Sequence, residues 1–296
     1  MAATTQRPSR WYSDRNAMRA FLGIDSTVTD KDAKIDIMIA RASAYIEQKT
    51  GRRFIPWTGT KEFDYQGALE LVFGDDLLSS TPTITHNDGV DTVAAGDYFL
   101  YPLNAADDNR PYLSLEMLYT DDFLFYNDTR QSAIAITGKW GYCEISWLSG
   151  SLLTAGITAA ATTVPVDAGT DFSIGQTILI GTEQMWISNI ATNNLTVTRG
   201  MNGTTAAIAA NDAPVSILGA PDDIQMAVEI LAARWLYRAE SSWADTVGSA
   251  DTRIHYSKAL PEEVTSVIKR YRRLVGPRHH SSANTDLVGG WAIEER

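Results

Sequence analysis

A chain of 296 residues, 44% hydrophobic and 21% charged, has the composition of a globular protein with room for about two domains, and its single cysteine, Cys143, excludes an internal disulfide. The net charge of −11 argues against a general nucleic-acid binder, yet it is uneven: 14 acidic residues stand against two basic ones between Lys61 and Asp128, whereas Val264–His280 holds Lys269, Arg270, Arg272, Arg273 and Arg278 with no acid. No apolar run reaches the ~18 residues of a membrane span and Met1–Arg10 lacks a signal-peptide core, so cytoplasmic synthesis is expected.

Met1–Arg10 is polar and small, and is expected to be a mobile arm. A short helix is predicted from Asp14, which can cap it, to Leu22, with Gly23 as its stop. In the longer helix that follows, Thr29 and Asp32 have capping-box spacing. Its stripe is Ile35, Met38, Ile39, Ala42, Tyr45 and Ile46, and Thr50-Gly51 marks its end. From Lys61 the pattern becomes short extended runs, with strands predicted at Lys61–Tyr65, Leu69–Phe73, Thr83–His86, Asp97–Tyr101, Tyr112–Leu115 and Ser132–Thr137. Asn87-Asp88-Gly89 supplies a reversal, and the pairs Asp75-Asp76, Asp107-Asp108 and Asp121-Asp122 read as solvated turns.

Ala135–Tyr142 is a strand that runs into a glycine-framed aromatic turn. The next stretch, 146–219, is poor in charge and rich in Ala, Thr, Gly and Ile. With runs at Thr162–Val166, Thr177–Ile180, Met185–Ile190 and Leu195–Thr198 it reads as an autonomous all-β module. Gly200 and Gly203 suit a tight turn, and Arg199 and Glu183 suit a structural pair. Pro221–Ala239 then returns to helical period with two apolar stripes, Ile224/Ala227/Val228/Leu231/Trp235 and Met226/Ile230/Ala233/Tyr237. The first can pack on the Ile35–Ile46 helix; the second needs the last helix or a neighbouring subunit. Glu240–Leu260 reads as a loop or broken helix. A final helix begins at Pro261 with the stripe Val264, Val267, Ile268, Tyr271, Leu274 and Val275 and a basic last turn. The tail carries Trp291 and Ile293, which alternate like a strand able to join a partner's sheet edge.

Catalytic signals are scarce. No phosphate-binding loop, dinucleotide turn, nucleophile elbow or His-Glu-x-x-His helix is present. His279-His280 fits a solvated segment better than a zinc site, and Cys143 fits burial better than nucleophilic duty. The expectation is a protein without enzymatic activity, cofactor or bound metal; the enzyme rival rests on the aspartate pairs, with Asp75 or Asp107 holding a divalent cation.

Ala44-Tyr45-Ile46-Glu47 to Thr50-Gly51-Arg52-Arg53-Phe54, then Asn87-Asp88-Gly89 and Asp97-Tyr98, then Thr137–Tyr142, then Pro221-Asp222-Asp223-Ile224 form an order that resembles the head-tail connector (adaptor) family of tailed bacteriophages. The likeness covers about Asp14–Tyr142 and Pro221–Gly276; in the family the glycine-tyrosine turn leads almost directly into the Pro-x-Asp-Ile helix, whereas here the module intervenes. The module itself, through Phe172–Gln176, Ile180–Ile187, Leu195–Gly200 and Asn202–Ala206, is similar to a small β-domain recurring in phage structural proteins. The resemblance implies an α+β fold: a helical connector domain with a β-rich layer (1–145 and 220–277), interrupted by an inserted barrel- or sandwich-like all-β domain (146–219), with a flexible docking tail (278–296). It implies a virion neck protein: a homo-oligomeric ring, twelvefold, that docks on the portal protein, seals the packaged head, and offers a platform to the next neck or tail-terminator protein. A fibre or decoration protein would meet the insert, passing DNA would touch the ring transiently, and no membrane is involved. Interface candidates are Lys269, Arg270, Arg272, Arg273, Trp291 and Ile293 toward the portal or a neighbouring copy, and Met226, Ile230 and Tyr237 between subunits. The rival reading is a glycan- or adhesin-binding module presenting Trp186.

Overall fold

The structure, a computed structural model, describes residues 10–65, 70–86, 89, 91–118, 130–240, 246–247, 254–255 and 259–273. Helix α1 (Arg15–Leu22) begins where the Asp14 carboxylate accepts the Ala17 amide at 2.9 Å, and ends at Gly23 in the left-handed region, φ 65°. Helix α2 (Asp32–Thr50) ends likewise at Gly51. The predicted Thr29/Asp32 capping box does not form. Arg19 claims the Asp32 carboxylate through Nε at 2.9 Å and Nη2 at 2.6 Å, which ties α1 to the start of α2 instead.

Seven strands follow: β1 (Trp57–Phe63), β2 (Glu70–Leu77), β3 (Thr83–His86), β4 (Asp91–Val93), β5 (Tyr98–Tyr101), β6 (Tyr112–Met117) and β7 (Ile134–Trp140). They form one antiparallel sheet ordered β4-β3-β7-β2-β6-β5, and β1 also pairs along β7 from Trp57↔Trp140 to Phe63↔Ile134. Leu71, Phe73, Leu77, Ile84, Leu115, Ile136 and Trp140 fill its core, and the Trp140 indole donates to the Gly59 carbonyl at 3.0 Å, so that its one polar atom is satisfied.

A second antiparallel sheet, β8 (Ile145–Leu152), β9 (Thr163–Pro165), β10 (Thr177–Ile180), β11 (Glu183–Ala191), β12 (Asn194–Thr198) and β13 (Pro214–Gly219), runs β8-β13-β10-β11-β12-β9. A bridge between Leu153 and Val166 brings its two outer strands together, so the sheet nearly closes on itself around Val164, Ile178, Ile187, Leu195 and Val215. Helix α3 (Asp222–Glu240), the short hairpin of β14 (Thr246–Val247) and β15 (Ile254–His255), and helix α4 (Glu262–Tyr271) complete the described chain. The helices share a core in which Ile35, Ile39, Ala42 and Ile46 of α2 meet Ile224, Ala227, Val228 and Leu231 of α3, with Val264 and Val267 of α4 beside them. Complete burial of each larger aliphatic side chain contributes about 1.5–3 kcal/mol.

These elements correct the expected fold class. Strands take 34% of the described residues against 27% for helices, so the protein is mostly β rather than a helical connector domain with a β layer. The underestimate came from strands without clean alternation. The sequences WTGTKEF of β1 and ISWLSGSL of β8 are held by backbone ladders to partners far away in sequence, and β4 is only three residues long, paired to β3 in a hairpin. β13 was missed for the same reason, and the edges of β2, β6 and β7 moved by several residues. The module has its own core, and its Trp186 is buried in the helical core. Leu69, Asn87-Asp88, Asp121-Asp122, Leu274, Val275, His279-His280 and the tail with Trp291 and Ile293 lie outside the described residues.

Candidate functional site

The basic end of α4 was predicted as a docking surface, and the structure divides its members. Lys269, Arg270 and Arg272 are exposed, and Arg270 reaches Asp223 in the first turn of α3 at 3.0 Å. Arg273 turns inward: it donates to the Gly74 carbonyl, to Asp75 at 2.6 Å and to Asp76 at 2.7 Å. Arg52, at the end of α2, binds the other side of Asp76 and donates Nε to the Tyr271 carbonyl at 2.8 Å. Asp75-Asp76 is therefore not a solvated turn. Asp76 is wholly buried at the end of β2, where its charge survives because two guanidiniums enclose it. Lys61 also pairs with Asp75 and lies over the rings of Trp57 and Trp140 at 5.3 and 5.0 Å. Burial, with Arg273 and Arg53 close by, pushes its pKa down to about 8. This network joins the first sheet to the helices; it is a structural clasp, and neither Arg273 nor Asp75 is available to a partner or a cation.

Next to the clasp, Phe54 is buried among Tyr12, Tyr142 and Tyr271 in edge-on contacts of 5.4–5.8 Å. The Tyr271 hydroxyl donates to Asp223 at 2.8 Å, and burial together with this bond raises its pKa. Cys143 is buried, and burial with the Asp223 and Asp76 carboxylates pushes its thiol up to about 12, far from the thiolate that a nucleophile needs.

On α3 the first stripe is buried as expected, with Trp235 half-buried. The second is mixed: Ala233 is buried and Ile230 half-buried, whereas Met226 is 41% and Tyr237 47% exposed. The ten-residue α4 does not extend over these two positions, which remain open to a neighbour.

The seam between module and helices is densely bonded. Trp186 meets Trp11 edge-on at 5.6 Å and donates its indole N–H to the Gly175 carbonyl at 3.1 Å, so it presents no face to a glycan. Gln176 donates to Asp14 at 3.0 Å and Gln184 to the Pro56 carbonyl at 3.0 Å. A Cβ at Gly175 would stand 2.0 Å from the Trp11 ring, and one at Gly203 would stand 1.9 Å from the Thr58 carbonyl oxygen; only glycine allows either approach. A pocket of about 90 Å³ opens at this seam beside Trp147 and Gln225, enough for a few waters and far below a small-molecule site. Inside the module Arg199 holds Glu183 through two 2.7 Å bonds and caps the Thr158, Ala161 and Ala207 carbonyls. Every donor of that guanidinium is engaged, two by Glu183 and three by carbonyls, as a structural pair should be. Among the described residues no group of three or more His, Cys, Asp or Glu side chains is placed to hold a metal ion.

One surface had not been foreseen. Val72 on β2 and Phe99 on β5 are 68% and 49% exposed, on the side of the first sheet away from its core. Leu71-Val72-Phe73 and Tyr98-Phe99-Leu100 are consecutive apolar residues in strands whose side chains alternate, and that was the available signal for apolar side chains on the outward face.

No protein-family model matches the chain, and no curated protein matches it. The resemblance to phage connectors thus rests on the motifs and their order.

Proposed function

We propose that this protein is a structural neck component of a tailed bacteriophage, forming a ring beneath the portal that seals the packaged head and carries the next neck or tail protein. The observation that carries this reading is the second stripe of α3. After all described helices have packed, Met226 and Tyr237 still face outward beside a half-buried Ile230, as a helix between ring neighbours requires. The way the chain resumes also supports it: α3 and α4 return after the module to complete the core begun by α1 and α2, as expected of an insertion into a connector. The exposed basic end of α4 and the acidic first sheet provide opposite charges on one subunit, which favours head-to-tail association.

Negative-stain imaging of purified protein, alone and with portal particles of the phage that encodes it, tests the reading. Rings or portal-bound collars are expected. A protein that stays monomeric and never binds portals overturns it.

A further inference from the structure

The outward face of the strands β2, β6 and β5 carries an ordered array. Across the three strands Glu70, Glu116 and Phe99 stand directly opposite one another in one row, and Val72, Ser114 and Tyr101 in the next. Glu70 and Glu116 are both exposed, and neither has a cationic partner among the described residues. Like charges directly opposite on neighbouring strands repel. The Tyr101 hydroxyl bonds to Glu116, with Glu70 also close, which holds its pKa up and does nothing to neutralise either carboxylate. Two carboxylates beside an open aromatic ring form a receptor for a guanidinium or ammonium group, whose charge pairs with the acids while its stem covers Val72 and Phe99.

The same chain displays the complement. Lys269 and Arg272 are exposed one turn apart at the basic end of α4. They do not serve their own sheet, because Arg273 pins that helix end at Gly74–Asp76, four residues along β2 from Glu70, roughly 13 Å at the rise of a strand. We propose that the Glu70/Glu116/Phe99 face of one copy receives Lys269 and Arg272 of a second copy. Made heterologously, as the ring reading requires, the contact propagates head to tail and closes into a ring when the rotation permits. This deepens the ring reading above and rests on it.

Charge reversal tests the contact. Glu70→Lys/Glu116→Lys and Lys269→Glu/Arg272→Glu are each expected to weaken assembly about tenfold in sedimentation velocity, alone or on portal particles, while an equimolar mixture regains it because unlike copies alternate. Thermal melts like that of the wild type establish that the variants fold. If one does not, Val72→Cys and Lys269→Cys replace them: on one chain, oxidation yields a ladder of cross-linked oligomers, and on separate chains only the mixed dimer. Variants that assemble like wild type, or cysteines that give no ladder, overturn this contact while leaving the neck-ring reading standing. A wild type that is monomeric both alone and on portals overturns both.

Discussion

Asp76 ties the first sheet to the helices. It is fully buried, and its partners Arg52 and Arg273 lie 24 and 197 positions away in sequence. Substituting Asp76→Asn keeps the volume but leaves Arg52 without its countercharge and Arg273 with Asp75 alone; a loss of about 3–5 kcal/mol in urea unfolding is expected, and a loss near zero would mean that the Arg52 cation escapes to water. Glu183 supports a second residue-scale prediction. Burial alone would raise its pKa, but the Arg199 guanidinium and the Ala207 and Gly200 amides outweigh burial and hold it below the usual carboxylate value. A depressed carboxylate contributes stability above its unfolded pKa of about 4.3 and loses that contribution as pH falls through the lower folded value. Wild type should therefore lose stability faster than Glu183→Gln on acidification below that pH; parallel acid-unfolding curves would remove the pair from the account. At this scale, local features were legible. Asp14 caps α1 and Gly23 ends it because both act on amides and carbonyls within a few residues. Asp76 was misread as a solvated turn because nothing near it in sequence announces its arginines.

Among elements, α3 was read correctly in type and nearly in extent, since a helix satisfies its own backbone and its period appears in a single segment. Strands fared worse. β8 and β13 pair with each other across the whole module, and neither alternates clearly enough to be seen without its partner. The seam between module and helices was also hidden: Trp186 looked like an exposed aromatic and is instead an anchor. Replacing it, Trp186→Ala, is expected to cost about 3–5 kcal/mol and to split one calorimetric transition into two as the module loosens from the helices. A single undisplaced transition would show that the polar bonds of Gln176 and Gln184 suffice to hold the seam.

For the whole molecule, charge and order of elements were the readable quantities. The acidic stretch became the first sheet and the basic run the end of α4, as composition indicated, but the structure withdrew Arg273 from the surface and added Val72 and Phe99 to it. Removing 278–296 takes away Trp291 and Ile293, the candidates for portal docking. The same deletion is expected to abolish attachment to portal particles in a pelleting assay; unchanged attachment would place the portal contact elsewhere. By itself the sequence determined where helices start and stop and the uneven charge, because these depend on neighbours a few residues apart. Only the tertiary structure decided that strands outweigh helices, that Trp186 and Asp76 are buried, and that Val72 and Phe99 stand exposed on the outward face of the first sheet. Ladders, buried ion pairs and seams require partners tens to hundreds of residues distant, and their energy exists only once the chain has brought those partners together.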